Sequence, residues 1–470
     1  MAISLIAKPQ ALTPAYNPMK FIYSSTNVNE PGFKYIFDIY NNGTATKIAE
    51  YRIKPNLDGY GEQDISRLIQ NYVSYNFDSA TNGGYDASSS YFIYDVNVGE
   101  EYIESVDYTS SLTQNGVYTK ITATHAFQVG DQVVITQVSP GVDNPTLEGL
   151  HTVTAINTTV DFTVNVLWSE ITDATIDGNV AYADNRKTVT RDIATSLANV
   201  AFNGAIPFLD FISYDSADYI LDANTDLLLT TMPSGHYLTL DQDMWVNFYI
   251  NKVTTGYIYF SNSTGDVFRK TVTTNAKISQ LGVGCNNLPT LTLVSGSGSL
   301  IEDDVTYYEF WYSSATGTQH SQKYRINIDR RCKINDYEVL FLDRLGSLGS
   351  FAFQLRDQLT GTVTKETYNQ HIEGSVTSSE WGYTSEAQGM KVINPNISEV
   401  YNLNTNWMTE EDGIYFAELV SSPQTWIKID GVYVSCMVED MGYEKDRKRN
   451  RTLIRKTLKV KLSVQDRVNG

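Results

Sequence analysis

Hydrophobic and polar residues alternate with a period of two along much of this 470-residue chain, which predicts β-strands that bury one face. Turn-forming stretches such as NNGT, SNSTGD and SATGT separate the alternating segments and indicate antiparallel hairpins. A parallel βαβ fold is disfavoured, because helix-length periodic segments do not alternate with the strands. The predicted strands are FKYIFDIYNN, TKIAEYRIKP, YLTLDQDMWVNFYI, TGYIYFSN, TYYEFWYS, QKYRINID, YEVLFLD, SFAFQLR, TWIKIDGVYVSCMVED and LIRKTLKVKLSV.

Three stretches have the apolar spacing of short helices. In QDISRLIQNYV, Asp64 is placed to cap a helix whose apolar residues stand at positions 65, 68, 69 and 72. RDIATSLANVAF has its apolar residues on one helical stripe, and MTEEDGIYFAELVSSP has Thr409 and Asp412 at capping-box spacing. The predicted fold class is therefore mainly β, with several antiparallel β-sandwich or β-barrel domains and a few short helices.

Strand spacing and turn density predict how the chain divides. Residues 1–19 have three prolines and no periodicity, which predicts an extended N-terminal arm that reaches an adjacent subunit. The short strands of 101–185 are typical of a small β-barrel inserted into a loop of its neighbour. The alternative, separate domains in series, differs in whether the flanking stretches share a core. The full prediction is an arm at 1–19, a β-rich domain of 20–100 with 186–265, the inserted barrel at 101–185, a β-sandwich at 266–355 and a C-terminal α+β domain at 356–470.

Charge is segregated along the chain. The formal net charge at pH 7 is −19, yet residues 444–470 contain ten Lys and Arg against three Asp and Glu, a net charge of +7. The other 443 residues therefore carry −26. Because a body this acidic repels phosphate backbones, contact with nucleic acid is expected only at the C-terminal segment.

The basic segment itself has the pattern of a β-hairpin. Apolar residues alternate with Lys in LKVKLSV, the preceding GVYVSCMVEDMGY alternates as well, and DRKRNR at 446–451 falls between them as the tip. The candidate contact residues at this tip are Arg447, Lys448, Arg449 and Arg451. Three uses remain open for them: an acidic surface on a neighbouring copy, DNA in a channel, or a solvated loop. The acidity of the body favours the first.

The sequence has no signature of catalysis or of metal binding. GxSxG, GxxxxGK[ST] and HExxH are missing, and the five histidines fall in separate segments, where ordinary surface or edge positions are expected. The three cysteines lack CxxC spacing, so buried free thiols are expected. DANTD at 222–226 begins like a calcium loop but lacks its glycine and distal glutamate, so a turn is expected, with weak calcium binding by acidic loops left open. We expect no enzymatic activity and no cofactor.

Aromatic density has two interpretations. In TYYEFWYS, Tyr308, Phe310, Trp311 and Tyr312 would form either a sugar-stacking platform or packing between sheets, and alternation within a strand favours packing. A Tyr-rich surface is also typical of proteins that contact many partners. No apolar run approaches the roughly 20 residues of a membrane-spanning helix, and the apolar N-terminal run is too short for a signal peptide core, so no membrane contact is expected.

Several long stretches resemble known virion proteins. NPMKFIYSSTNVNEPGFKYIFDIYNN and YRIKPNLDGYGEQDISRLIQNYV resemble the N-terminal part of virion structural proteins from tailed phages of Bacteroidetes, the crAss-like phages among them. Four later stretches resemble the same group in the same order: YLTLDQDMWVNFYI, INIDRRCKINDYEVLFLDRLGSLGSFAFQLRDQ, NWMTEEDGIYFAELVSSPQTWIKIDGVYVSC and the closing basic strand. AFQVGDQVVI, LEGLHTVTAI and DFTV are together similar to the small β-barrel inserted in many phage tail and neck proteins.

The resemblance implies a structural component of the portal-proximal neck, the tail rings or the tail hub. It implies several copies about the tail axis, connecting the portal to the distal tail around the DNA passage. Expected partners are copies of the chain in a ring, other neck and tail proteins and, non-specifically, viral DNA. The expected location is the virion, assembled in the host cytoplasm. The alternative is a receptor- or carbohydrate-binding tail or baseplate protein, but the chain has neither the heptads nor the fixed-period repeats of a fibre.

Overall fold

The computed structural model of the protein describes residues 3–75, 77, 85–103, 105–108, 112–137, 146–175, 177–183, 187–275, 277–288, 290–334, 337–371, 374–377, 380–383, 389–439, 454–464 and 466–467. Internal contacts divide the chain into two compact units. Unit 1 consists of Met1–Ala11, Pro18–Arg67 and Ile93–Val200, and unit 2 consists of Leu12–Asn17, Leu68–Phe92 and Ala201–Gly470.

The secondary structure is mainly β, as predicted. The strands up to residue 202 are β1 (Ile3–Ala7), β2 (Leu12–Pro14), β3 (Lys20–Ser25), β4 (Lys34–Asn41), β5 (Thr46–Ile53), β6 (Gly61–Asp64), β7 (Tyr85–Asp86), β8 (Tyr91–Ile103), β9 (Ser105–Tyr108), β10 (Leu112–Asn115), β11 (Tyr118–Thr122), β12 (Gln132–Gln137), β13 (Gly149–Thr158), β14 (Asp161–Leu167), β15 (Gly178–Tyr182) and β16 (Lys187–Phe202).

The later strands are β17 (His236–Leu238), β18 (Trp245–Tyr249), β19 (Val253–Asn262), β20 (Val267–Asn275), β21 (Ile278–Gly282), β22 (Thr292–Ser295), β23 (Tyr307–Ser314), β24 (Tyr324–Ile328), β25 (Tyr337–Leu342), β26 (Leu348–Phe353), β27 (Gln358–Asn369), β28 (Gly374–Thr377), β29 (Glu380–Tyr383), β30 (Met390–Asn404), β31 (Thr425–Ile429), β32 (Val432–Val438), β33 (Thr457–Leu462) and β34 (Asp466–Arg467). The helices are α1 (Ser66–Ile69), α2 (Phe208–Ile212) and α3 (Glu410–Ser421), with short 3-10 helices at Gln70–Tyr72, Trp168–Glu170 and Ser216–Tyr219.

Unit 1 contains a seven-stranded antiparallel sheet made entirely from Ser105–Tyr182, inside the segment predicted as an insertion. Its order is β10-β11-β14-β13-β12-β15-β9, and it has its own core around Val133, Phe162 and Val164. A turn lies at Gly130, which has a positive φ of 92° that favours glycine. Elsewhere in unit 1, β16, β8, β4 and β5 are successive neighbours, and β1, β3 and β6 form a small sheet.

The helix predicted for RDIATSLANVAF is wrong, because this stretch belongs to β16 beside β8. A Cβ atom on Gly99 of β8 would lie 2.1 Å from the carbonyl oxygen of Thr190, so the absent side chain is what lets the two backbones approach. Asp95 of β8 accepts a hydrogen bond from the backbone N–H of Ala198, which has a positive φ of 52°. Main-chain pairing with a long buried strand therefore outweighs three apolar residues at helical spacing.

The N-terminal segment is extended but does not stand free over its described residues. β1 pairs antiparallel with β3, with Ile3 opposite Ser25 and Leu5 opposite Tyr23. Further along, Leu12 is buried and its carbonyl oxygen accepts a hydrogen bond of 2.6 Å from the Tyr214 hydroxyl. These contacts lie within one chain, while Leu5, Ile6 and Tyr16 remain exposed at 39%, 53% and 52%, so contact of the arm with an adjacent subunit stays a prediction.

Unit 2 is built on two sheets that share one hydrophobic core. The first has the order β17-β24-β23-β19-β20-β22, and the second runs β27-β30-β33-β32-β31-β25-β26-β18-β21-β7, with β34 beside β30. The core holds Phe248, Phe310, Phe341 and Phe416 together. Strands from the predicted domains 186–265, 266–355 and 356–470 therefore contribute to one core, so the boundaries expected at 265 and 355 do not separate folding units.

Helix α3 begins as predicted. Thr409 and Asp412 form a reciprocal capping box, with the backbone N–H of Asp412 donating to the Thr409 Oγ1 at 3.1 Å. The helix predicted in QDISRLIQNYV is only one turn of α-helix followed by a 3-10 turn, and Asp64 accepts from the backbone N–H of Ser66. The two predicted strands of the C-terminal hairpin, β32 and β33, pair antiparallel with Cys436 opposite Leu462.

Candidate assembly interface

The basic residues singled out by the sequence, Arg447, Lys448, Arg449 and Arg451, lie outside the described residues. The structure describes the residues that flank this segment on both sides. Val438 of β32 is opposite Val460 of β33, and Ile454 exchanges two backbone hydrogen bonds with Met408. The segment between residues 439 and 454 is therefore held at both ends by unit 2.

A second candidate interface was not predicted at all. Strands β27 and β30 pair antiparallel over twelve residues of β27, from Gln358 opposite Asn402 to Asn369 opposite Met390. We call this two-stranded element the ribbon. At the usual rise per residue it is about 40 Å long, and every residue of β27 is exposed to solvent. A strand that buries neither face is unusual, because strands form when they cover a core.

The two faces of the ribbon differ. Residues directly opposite each other in an antiparallel pair share a face, so Val363 lies beside Ile397 and Thr367 beside Val392. The face of Val363 also carries Leu359, Met390 and the charged residues Lys365 and Glu399, whereas Thr360, Thr362, Thr364, Glu366 and Tyr368 stand on the other. The exposed apolar residues of the ribbon, namely Leu359, Val363, Tyr368, Met390, Val392 and Ile393, have between 42% and 62% of their surface accessible. Exposed apolar side chains thus lie on both faces of the ribbon, and four of them, Leu359, Val363, Met390 and Val392, share the face of Val363.

The outer edge of β27 is also open. β27 is the terminal strand of its sheet, and β30 is its one neighbour among the described residues. Alternate N–H and C=O groups therefore point outward along this edge. The strand has no proline, and its two charged side chains, Lys365 and Glu366, cancel each other. Apart from these two adjacent charges the edge has no protective feature, so it is a template for pairing with another chain.

Sequence reasoning missed the ribbon because its pattern is weak. QLTGTVTKETYN has only three apolar residues, Leu359, Val363 and Tyr368, at spacings of four and five, so it matches neither a half-buried strand nor a helix. Its threonine content was a usable signal, since threonine favours strands.

The outer face of the first sheet in unit 2 carries aromatic rings and cations. Tyr259 and Trp311 stand opposite each other on neighbouring strands and stack at 5.6 Å between ring centroids. The Lys323 Nζ lies 4.4 Å above the Trp311 ring, and the Arg269 guanidinium 4.4 Å above Tyr257. On the inner face, Tyr308, Phe310 and Tyr312 are buried, which confirms the packing role predicted for TYYEFWYS and leaves Trp311 as its outward member.

His236 lies in β17, the terminal strand of its sheet, which agrees with a predicted edge position, but it is not a surface histidine because only 1% of it is accessible. Its Nδ1 lies 2.7 Å from the Asp412 Oδ1, and its Nε2 lies 2.9 Å from the carbonyl oxygen of Ser350. Both nitrogens are occupied by protein groups. The arrangement therefore orders the fold and leaves no ring nitrogen for a ligand.

Other buried charges form a cluster centred on Glu338. Burial raises the pKa of the Glu338 carboxyl to about 7, although Lys428, with its Nζ at 3.1 Å, and other donors act in the opposite direction. Lys428 also contacts Asp243 at 2.9 Å, and the Tyr433 hydroxyl donates to Asp243 at 2.6 Å. The Lys428 cation of this cluster joins strands β25 and β31 to the stretch before β18.

The predictions about metal sites and about cysteines have different outcomes. In the part of the chain that the structure describes, no group of three or more His, Cys, Asp or Glu side chains is arranged to hold a metal ion. Asp226 of DANTD accepts backbone hydrogen bonds from Asp222 and Ala223 at 2.7 Å, which confirms the predicted turn. The cysteines are free, but only two are buried as expected, while Cys332 is exposed. No helix within the described ranges is long and apolar enough to cross a membrane.

Comparisons with known proteins give no family. No protein-family model and no curated protein matches the chain. Among solved structures, trypsin-activated alpha-2-macroglobulin from Escherichia coli aligns with 8% identity and a TM-score of 0.15 over 86% of this chain and 29% of that one. A mutant Salmonella alpha-2-macroglobulin aligns with 7% identity and a TM-score of 0.16 over 99% of this chain and 34% of that one. The chain thus spans about a third of the length of both, and the scores carry no argument about fold or function.

Proposed function

We propose that this chain is a structural subunit of a phage virion, which assembles into an oligomeric ring or hub of the neck or tail. The observation that carries the proposal is the ribbon. It combines four exposed apolar side chains on one face with an open edge of twelve residues. Both features are costly in an isolated subunit, and contact with a second subunit removes both costs at once.

A ring accounts for these features better than a solitary protein does. In a closed ring each subunit contacts two neighbours through the same pair of surfaces, so every ribbon is covered. The wider proposal is that such rings connect the portal to the distal tail around the DNA passage. Copies of the chain, other neck and tail proteins and DNA are then its partners. Assembly in the host cytoplasm and a structural role without catalysis belong to the same proposal.

The experiment is a measurement of the oligomer. Purified full-length chain is analysed by size-exclusion chromatography with light scattering, and particles are imaged after negative staining. We expect closed rings. In a ribbon-truncated variant, residues 365–395 are replaced by Asn-Gly, which joins the opposed residues Thr364 and Asn396 in a two-residue turn. This variant is expected to retain a cooperative thermal transition but to run as a monomer. A wild-type chain that remains monomeric at every concentration contradicts the proposal.

A second candidate is a receptor- or carbohydrate-binding tail or baseplate protein, and the stacked pair of Tyr259 and Trp311 favours it. Aromatic rings on an outer sheet face stack against sugar rings, although here Lys323 already lies over Trp311. Binding of purified chain to surface polysaccharides of a Bacteroidetes host, lost on Trp311→Ala, supports this candidate. Absence of polysaccharide binding together with rings excludes it.

A further inference from the structure

A short apolar helix protrudes from unit 2. Helix α2 exposes Phe208, Leu209 and Ile212, of which 77%, 76% and 69% are accessible. Three large apolar side chains with this much exposure within five residues are rare on a surface that faces water, because contact of each apolar side chain with water is unfavourable. Contiguous exposed apolar residues mark a docking surface.

Beside this helix lies a cavity of about 310 Å³ with an unusual lining. Tyr214 and Tyr219 stack on one side, with ring centroids 5.6 Å apart and planes at 25°. Asp210, from α2 itself, and Asp218 face the same space. The volume is within the range of sites that receive a large side chain or a small ligand. The cavity therefore has aromatic faces and carboxylates, and Ile206, Pro207, Leu345 and the cation of Arg344 also line it.

The carboxylates differ in what already engages them. Glu418 is occupied: the Thr231 Oγ1 donates to it at 2.6 Å and the Arg344 Nε lies 3.8 Å away. Asp215 accepts from the backbone N–H of Ala217 at 2.9 Å and so holds the following 3-10 helix. Within the described residues, no side-chain hydrogen bond or ion pair engages the carboxylates of Asp210 and Asp218. The carboxylates of Asp210 and Asp218 are therefore available to bind a partner.

We infer that this cavity receives an arginine or lysine side chain from the basic segment 447–451 of a second copy, while α2 packs against that copy. Two free carboxylates beside a tyrosine face match a guanidinium, which accepts both an ion pair and ring stacking. The inference rests on the proposed function, because it assumes that copies meet. The charge segregation of the chain implied that the basic segment contacts an acidic surface. The inference places that acidic surface at this cavity.

Charge complementarity selects this occupant. Residues 444–470 carry +7 and the rest of the chain −26, so the strongest source of cations available to an acidic cavity is this segment. An arginine inserted between aromatic and acidic groups is a common anchor of protein interfaces. The exposed residues of α2 then form the apolar surface around that anchor.

Binding of a peptide tests the inference directly. The probe is a labelled peptide of residues 444–453, and the recipient is the full chain with Arg447, Lys448, Arg449 and Arg451 changed to Ser, so that its own segment does not compete. We expect salt-sensitive binding. Asp210→Asn with Asp218→Asn should weaken it about tenfold or more, because two neutral amides remove the ion pairs without changing shape. Equal affinity after these changes, or no binding at all, overturns the inference.

A matched control is available on the same unit. Asp303 is fully exposed and reaches Arg330 only at 3.9 Å, so Asp303→Asn removes one charge remote from the cavity. We expect this variant to bind the peptide like the parent. A loss equal to that of the cavity variant means that general acidity, not the cavity, attracts the peptide, and it overturns the inference.

Mixing variants separates this inference from the proposed function. A copy without the cavity anions and a copy without the basic residues each retain one half of the contact. The mixture should therefore form more dimer than either variant forms by itself. Rings that persist unchanged in the cavity variant, but are lost on ribbon truncation, overturn the inference and leave the proposed function standing. Peptide binding by a chain that never forms rings supports the inference about the cavity and contradicts the proposed function. If neutralising the basic residues alters DNA retention but not assembly, the segment faces DNA and the inference fails.

Discussion

The imidazole of His236 links three elements of unit 2 through Asp412. Its Nδ1 lies 2.7 Å from the Asp412 Oδ1 at the start of α3, and its Nε2 lies 2.9 Å from the Ser350 carbonyl oxygen in β26. A carbonyl oxygen only accepts, so Nε2 carries a proton. The Asp412 carboxylate also accepts a hydrogen bond from the Thr409 hydroxyl at 2.9 Å through its other oxygen. One buried pair therefore orients a helix against two sheets.

Removing the imidazole should destabilise unit 2 strongly. We expect His236→Ala to lower the free energy of unfolding by about 3 to 5 kcal/mol, since it leaves a buried carboxylate without its partner. Urea denaturation followed by circular dichroism measures this change. His371→Ala, at an exposed position, is the control and should change it by less than about 0.5 kcal/mol. Similar values for the two variants would show that the pair contributes little.

The same pair predicts a dependence on acid. Burial by itself raises the pKa of Asp412, but hydrogen bonding and charge from His236, together with Thr409, lower the pKa below its usual value. A carboxyl whose pKa is lower in the folded state stabilises the fold above its unfolded pKa of about 3.9, and this contribution is lost as pH falls through the folded pKa. We expect Asp412→Asn to reduce the slope of unfolding free energy against pH below about pH 4. A variant with the full wild-type slope would contradict the assignment.

The ribbon face that carries Val363 should control assembly. Val363→Lys places a charge on the face shared with Ile397, where burial against a second copy would cost several kcal/mol, so ring formation should be lost while the thermal transition stays within a few degrees. Thr362→Lys introduces the same charge one residue away, on the opposite face, and should leave rings intact. Light scattering of both variants checks this. Rings lost in both would mean that charge anywhere on the ribbon, rather than apolar burial, is decisive.

A glycine pair tests the packing beneath α3. A Cβ atom on Gly349 would lie 2.0 Å from the Tyr415 hydroxyl and 2.7 Å from the Phe341 ring. Gly349→Ala should therefore destabilise the chain by about 1 to 3 kcal/mol through overpacking. Gly361, in the ribbon, has nothing within 4 Å of its Cβ position, so Gly361→Ala should be nearly neutral. Denaturant midpoints measured for the two variants decide the prediction, and equal midpoints would show that the core relaxes around the methyl group.

Much of the local structure was predictable because it depends on short-range pattern. Period-two alternation located the core strands, as in TYYEFWYS, where Tyr308, Phe310 and Tyr312 are indeed buried. The capping box of α3 depends on Thr409 and Asp412 three residues apart, so sequence spacing was sufficient. The candidate interface was less predictable. The basic hairpin was visible as a charge cluster, whereas the ribbon and the cavity beside α2 had no comparable signature.

The sequence by itself determined that this protein is mainly β, that its charge is segregated, and which residues of most strands face a core. These properties depend on the side chains of each segment alone. Only the tertiary structure decided which strands became neighbours, that β16 is a strand, and that His236 is buried against Asp412. It also decided that four exposed apolar side chains of the ribbon share one face and that Asp210 and Asp218 meet stacked tyrosines. Those properties depend on pairings between distant segments, whose energies no local pattern records.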